Sequence, residues 1–151
     1  MRKNIQSDVN ADSAHLKYNV EFILRDKNGK IKQREAIHNT VEAAGKNAIA
    51  DQLLASPTLS KPGWMAVGTG TGGTTALATE LVRVALTSKT RSTNVVTMQG
   101  DYAAGVGTGA ITEAGIFDAA SVGNMYTYSS FSTINKGASD TLSIIWTLTI
   151  S

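Results

Sequence analysis

The sequence predicts a mainly β protein, an antiparallel β-sandwich of jelly-roll or immunoglobulin-like order with an N-terminal hairpin and one α-helix. Three observations predict it. Apolar residues alternate with polar ones near both ends of the chain, at Leu16, Tyr18, Val20, Phe22 and Leu24 and again at Leu142, Ile144, Trp146, Leu148 and Ile150. A period of two marks a strand with one buried face. Short runs of strand-like composition are separated by Gly- and Asn-containing turns, the spacing of a sandwich or barrel. Only one stretch, from Thr40 to Leu54, changes to helical spacing.

Taken in order, residues 1–14 are polar and without periodicity, and are expected to form a flexible N-terminal arm. Residues 15–151 then make a single β-rich structural domain. Leu16 to Leu24 reads as a half-buried strand, and Asp26-Lys27-Asn28-Gly29 as its hairpin turn. Ile31 to Ile37 returns as an edge strand guarded by charge. Val41, Ala44, Ala48, Ile49, Leu53 and Leu54 define an amphipathic helix with Thr40 as N-cap. Gly45 weakens that helix unless it serves a close approach to a sheet.

Beyond Pro57 and Pro62, Trp64 to Val67 reads as a short buried strand, and Gly68 to Thr75 as a glycine-rich loop. A short helical turn is expected at Leu77 to Leu81. Strands are expected at Arg83–Ser88 and Asn94–Tyr102 with a polar turn between them. A second glycine loop, 103–110, precedes the apolar run Ile111 to Phe117. Met125–Ile134 and Thr141–Ile150 are expected to pair across the turn Asn135 to Asp140.

Composition narrows the function classes. The 151 residues are 42% hydrophobic but only 17% charged, against about 25% charged in ordinary soluble domains. Thr, Ser, Ala and Gly make up the difference, giving a surface that is easily desolvated in an assembly. The net charge of +2 is too small to argue for nucleic acid. It is uneven, since residues 1–40 carry eight Lys/Arg and five acids. That basic stretch reads first as a solvated hairpin face and second as a dock for an acidic neighbour. The absence of cysteine excludes disulfides and thiolate chemistry. The N-terminal residues lack the apolar core of a signal peptide. No run approaches the roughly 18 apolar residues of a membrane span.

Motifs that would carry chemistry fall short. Gly68-Thr69-Gly70-Thr71-Gly72-Gly73 satisfies G-x-G-x-x-G after a strand, but no acid lies near Thr93 where a ribose partner would be needed, and no Lys follows for a phosphate loop. The segment reads as a conformationally permissive crossing loop. His15 and His38 sit in no nucleophile–base–orienter pattern. Glu113 and Asp118 are the nearest clustered acids of the second half. Such acids beside a turn more often satisfy backbone donors than bind a metal or cleave a glycoside. Asp140 reads as a turn cap. Tyr126 and Tyr128 share a face in a regular strand; they pack on the core or a neighbour, or alternatively form a platform for sugar rings.

Two segments look familiar together: AVGTGTGGTTALATELVRVAL, and GTGAITEAGIFDAASVGNMYTYSSFSTINKGASDTLSIIWTLTIS. With the upstream RDKNGKIK and GKNAIADQLL stretches they resemble a set of small bacteriophage structural proteins, over roughly residues 16–151. The resemblance implies a non-enzymatic virion component, with no cofactor and no metal. A capsid decoration, or cement, protein that stabilises the major capsid shell is the leading expectation, and a tail-fibre, adaptor or host-surface (saccharide) binding component is the alternative. The implied partners are other virion proteins, the major capsid protein first, in a homo-oligomer with a trimer preferred, and neither nucleic acid nor membrane. The implied location is the virion, assembled in a bacterial cytoplasm. The structural or assembly candidates are Gly68, Gly70, Glu80, Arg83, Glu113, Gly115, Tyr126, Tyr128, Lys136, Asp140 and Trp146. Glu80, Arg83 and Glu113 are expected to include a structural ion pair.

Overall fold

A computed structural model describes residues 15–39 and 41–151. The arm expected at 1–14 and the N-cap expected at Thr40 lie outside the described residues. Those described form nine strands and one helix: β1 Leu16–Arg25, β2 Ile31–Asn39, α1 Ala43–Asp51, β3 Trp64–Gly68, β4 Glu80–Ala85, β5 Ser88–Ser92, β6 Val95–Tyr102, β7 Gly109–Phe117, β8 Met125–Lys136 and β9 Thr141–Ile150. They pack as an antiparallel β-sandwich, with one sheet ordered β2-β1-β9-β6-β5 and the other β4-β3-β7-β8.

The alternation explains the core. In β1 and β9, Val20 lies opposite Trp146, Phe22 opposite Ile144 and Leu24 opposite Leu142. All six are buried and meet Met65, Val67, Ala114 and Ile116 from the facing sheet. Tyr18 packs edge-on against Trp146, with ring centroids 6.2 Å apart. On the outer face of the larger sheet, Thr147 lies between Asn19 and Thr97, and Ser143 between Ile23 and Asp101. On this face the central strand β9 presents Thr147, Ile145 and Ser143, while its neighbours carry Glu21, paired with Arg34, and Asp101.

The hairpin β1–β2 forms with β2 at the sheet edge. Its turn is wider than a two-residue loop. The Asp26 carboxylate accepts from the amides of Asn28 and Lys30, and only Gly29 has positive φ, at 80°.

Five expectations need correction. The helix begins later and stops earlier than the apolar spacing indicated. Val41 stays extended and bridges Thr127, and Glu42 occupies the N-cap position without a side-chain cap. Leu53 and Leu54 fall beyond the last turn and are exposed. No helical turn forms at Leu77 to Leu81. Leu77 is instead a buried plug, and the chain is already in β4 at Glu80.

The polar turn expected between the middle strands is itself largely β5, whose five residues are all exposed. It is held by pairing with β6 rather than by any apolar face of its own. Met125–Ile134 and Thr141–Ile150 are not partners. β8 pairs with β7, whereas β9 sits between β1 and β6, so the turn after Lys136 carries the chain from one sheet to the other. Finally, a bulge opposite Ile116/Phe117 breaks the regular register of β8, and with it the shared face of Tyr126 and Tyr128.

Gly45 meets the expectation of close approach. A Cβ there would overlap the carbonyl oxygen of Tyr126. The helix can lie on β8 at this depth only because that atom is missing.

Candidate functional site

The smaller sheet buries its outer face under its own loops. Ala66, Phe117 and Met125 form a second apolar cluster there, with Trp64 and Tyr128 packed against it and Leu77 dropped in from above. Leu77 belongs to the glycine-rich segment 69–79, which folds back over the sheet as a strap.

Glu113 fixes this strap. It is fully buried in β7, opposite Gly68 of β3. One carboxylate oxygen accepts the amides of Gly70 at 3.2 Å and Thr79 at 2.8 Å, and the other accepts Ala78 at 3.0 Å. Its neighbour Thr112 donates its hydroxyl to the carbonyl of Gly70 at 2.7 Å. Gly68 and Gly70 are glycines because a side chain at either would collide with the carboxylate and the Thr79 backbone, and at Gly70 also with the Ala78 methyl. Tyr128 holds the far end of the strap, accepting the Gly72 amide at 2.7 Å.

Arg83 does similar work for the loop after β7. Its guanidinium pairs with both oxygens of Glu80, at 3.0 and 2.7 Å, and donates to the carbonyls of Ala119 and Val122. It also lies 3.6 Å from the centroid of the Phe117 ring. The ion pair is therefore Arg83–Glu80. Glu113 stands apart from it with backbone partners. Asp118 accepts from the Asn124 amide and side chain and from the Tyr126 hydroxyl. Burial alone would raise the Asp118 pKa, but those hydrogen bonds prevail and lower it. Burial and the neighbouring Asp118 charge push the Tyr126 phenol up to about 12.

The third tie joins the two sheets. Lys136 is buried and donates to the Ala103 carbonyl at 2.9 Å, holding the loop 103–108. Burial lowers its pKa against the opposing pull of Asp140. Asp140 accepts Lys32 at 2.6 Å and the Gly137 amide at 2.9 Å, so it caps the crossing turn and clips it to β2. The Lys32 hydrogen bond leads the causes that lower its pKa.

The remaining candidates are packing residues. Gly115 lies under Met125 and the Thr127 backbone, where a Cβ would be crowded. Trp146 is fully buried in the sandwich core, and its indole N–H has no hydrogen-bond partner among the described residues. Tyr126 turns toward the helix side, its single hydroxyl proton shared between the Ser60 carbonyl at 2.6 Å and Asp118 at 3.2 Å, while Tyr128 joins the outer cluster. The two tyrosines form no joint exposed platform. Among the described residues, no three His, Cys, Asp or Glu side chains gather as a metal site would require, and no helix is long and apolar enough to cross a membrane.

Sequence reasoning missed three participants. Thr112 gives no signal beyond its neighbour Glu113. The Asp101 cluster on the larger sheet, with Thr87, Gln99 and Ser143, joins residues from distant segments. The stacking of Arg83 on Phe117 depends on register between β4, β3 and β7, which alternation does not specify. No protein-family model, curated protein or solved structure matches the chain.

Proposed function

We propose that this chain is a non-enzymatic structural protein of a bacteriophage particle, a capsid decoration protein that binds and stabilises the major capsid shell as a symmetric homo-oligomer, with a trimer preferred. The observation that carries the proposal is what the polar side chains of the phage-like segments do. Glu113, Arg83, Lys136, Asp140 and Tyr128 each engage backbone groups of a loop. Five side chains thus hold three loops and a crossing turn in fixed shape. A surface whose loops are already ordered loses less conformational freedom when it docks. The low charged fraction of the chain, 17%, supports the same reading, since hydroxyl and amide groups cost less to desolvate than charges.

Electron microscopy of wild-type and gene-deleted particles tests this. Loss of a regularly spaced head density, with weakened shells and leaking genomes, is the expected result. Intact heads with altered tail tips or poor adsorption would favour the tail-fibre, adaptor or host-surface component instead. Purified particles that lack the protein altogether, with unchanged morphology on deletion, would overturn both.

A further inference from the structure

At the end of the sandwich where α1 docks, an open groove of about 560 Å³ and a smaller cavity of about 160 Å³ share Tyr18 as a common wall. Their chemistry differs. The groove is lined in part by Lys17, His38 and Lys46, and none of its described lining residues is an acid. Neither lysine enters the ion pairs found among the described residues. The cavity is walled chiefly by apolar side chains, among them Ala48, Ile49, Met98, Ile116 and Leu148. Gln52 also lines it, and the next residue, Leu53, is 86% exposed.

We propose that this composite site docks a segment of a partner protein bearing one large apolar side chain flanked by carboxylates. The apolar group fills the cavity, and the acids face Lys17 and Lys46. The inference rests on the reading that the chain works by docking other proteins, and it names the chemistry of one partner.

Charge complementarity selects an acidic occupant. Size selects a side chain over a lipid tail: a dry cavity of about 150 Å³ holds one benzene ring. That matches Phe or Leu and falls far short of a long acyl chain. The wider groove, which adjoins the cavity at Tyr18, has room for the peptide backbone beside the anchor.

The test is selection of a displayed random heptapeptide library on the purified protein, followed by calorimetric titration of the enriched peptides and of octanoate. The expected sequences place Phe or Leu within two residues of at least two Asp or Glu. Binding should perturb the methyl resonances of Ile116 and Leu148, weaken with added salt, and fall at least tenfold in the Lys17→Glu/Lys46→Glu variant. Both lysines are exposed, so the variant should unfold at the wild-type temperature. No enrichment, enriched peptides without acids, or unchanged affinity in the variant would each overturn the proposal. So would octanoate binding without any peptide binding, which would mark a site for small amphiphiles. Peptide recognition by a protein absent from particles would sink the virion reading and leave this one standing. A head protein that selects no such peptide would do the reverse.

Discussion

The amide of Gly70 donates to the same Glu113 oxygen that a side chain at Gly70 would crowd, with the amide nitrogen and a hypothetical Cβ lying 3.2 and 3.0 Å away. Anchor and cradle are therefore one device, made by residues 43 positions apart. Replacing Glu113 by Ala leaves three amides without their acceptor. A buried polar group deprived of its partner costs about 1–3 kcal/mol, and charge-assisted bonds stand at the upper end. Glu113→Ala should cost about 3 kcal/mol in chemical denaturation and speed amide hydrogen exchange across residues 70–79. Glu113→Gln should cost less, because one of its two oxygens remains. Native exchange rates in the Ala variant would show that Leu77, Tyr128 and Thr112 hold the strap without it.

A helix-propensity argument and a packing argument make opposite predictions for Gly45. Ala is the better helix former by about 1 kcal/mol. Its methyl, however, would overlap the Tyr126 carbonyl, an atom fixed in β8. Overpacking of this kind costs about 1–3 kcal/mol. Gly45→Ala should lower the melting temperature and loosen α1 in hydrogen exchange. A stabilised variant would mean that the helix can lift off the sheet without loss.

Reversing Arg83 to Glu puts a carboxylate beside Glu80, against the Phe117 ring and two carbonyl oxygens. The Arg83 side chain is only 6% exposed, although Glu80 is 33% exposed. Removing one member of a buried pair costs about 3–5 kcal/mol, and the partial exposure of Glu80 favours the low end, about 3 kcal/mol. The measurement is thermal unfolding. An unchanged transition would show that the network adds nothing to stability.

Acid should expose the contribution of Asp101 and Asp118. Burial raises the pKa of each, but hydrogen bonds outweigh it, from Ser143, Thr87 and Gln99 to Asp101 and from Asn124 and Tyr126 to Asp118. A folded-state value below the unfolded one, about 3.9 for Asp, contributes stability that is fully present above the unfolded value. That stability is lost as pH falls through the folded value. Urea midpoints between pH 5 and pH 2 should therefore decline, and Ser143→Ala should shift the Asp101 part of the decline to higher pH. Identical profiles for variant and wild type would show that the Ser143 bond does not hold the carboxylate.

The faces of the strands were legible in the sequence; beyond the β1–β2 hairpin, their partners were not. The alternation in Leu142 to Ile150 announces a strand with one buried face, but says nothing of whether β8 or β1 lies beside it. Ser88 to Ser92 carries no apolar residue, so its strand state comes wholly from pairing with β6. Leu53 and Leu54 fit the helical period and yet lie in the open, because the helix stops at Asp51, whose carboxylate accepts the amides of Thr58 and Leu59. Tyr126 and Tyr128 were parted by a bulge, an inserted residue that spacing cannot reveal. In the strap, Gly68 and Gly70 signalled an unusual backbone. What the signal lacked was the buried acid on a distant strand that makes glycine necessary.

The placement of β9 between β1 and β6 governs the order of folding events. Until residues 141–150 arrive, the hairpins β1–β2 and β5–β6 have no common neighbour, and each presents an unpaired inner edge. The β1–β9 contact joins the first and last strands of the fold, so its loop-closure entropy is lost before the contact yields anything. The five-stranded sheet should consequently assemble late and slowly, after local hairpins have formed. During that interval the open edges of β1 and β6 are the places where two incomplete chains would join.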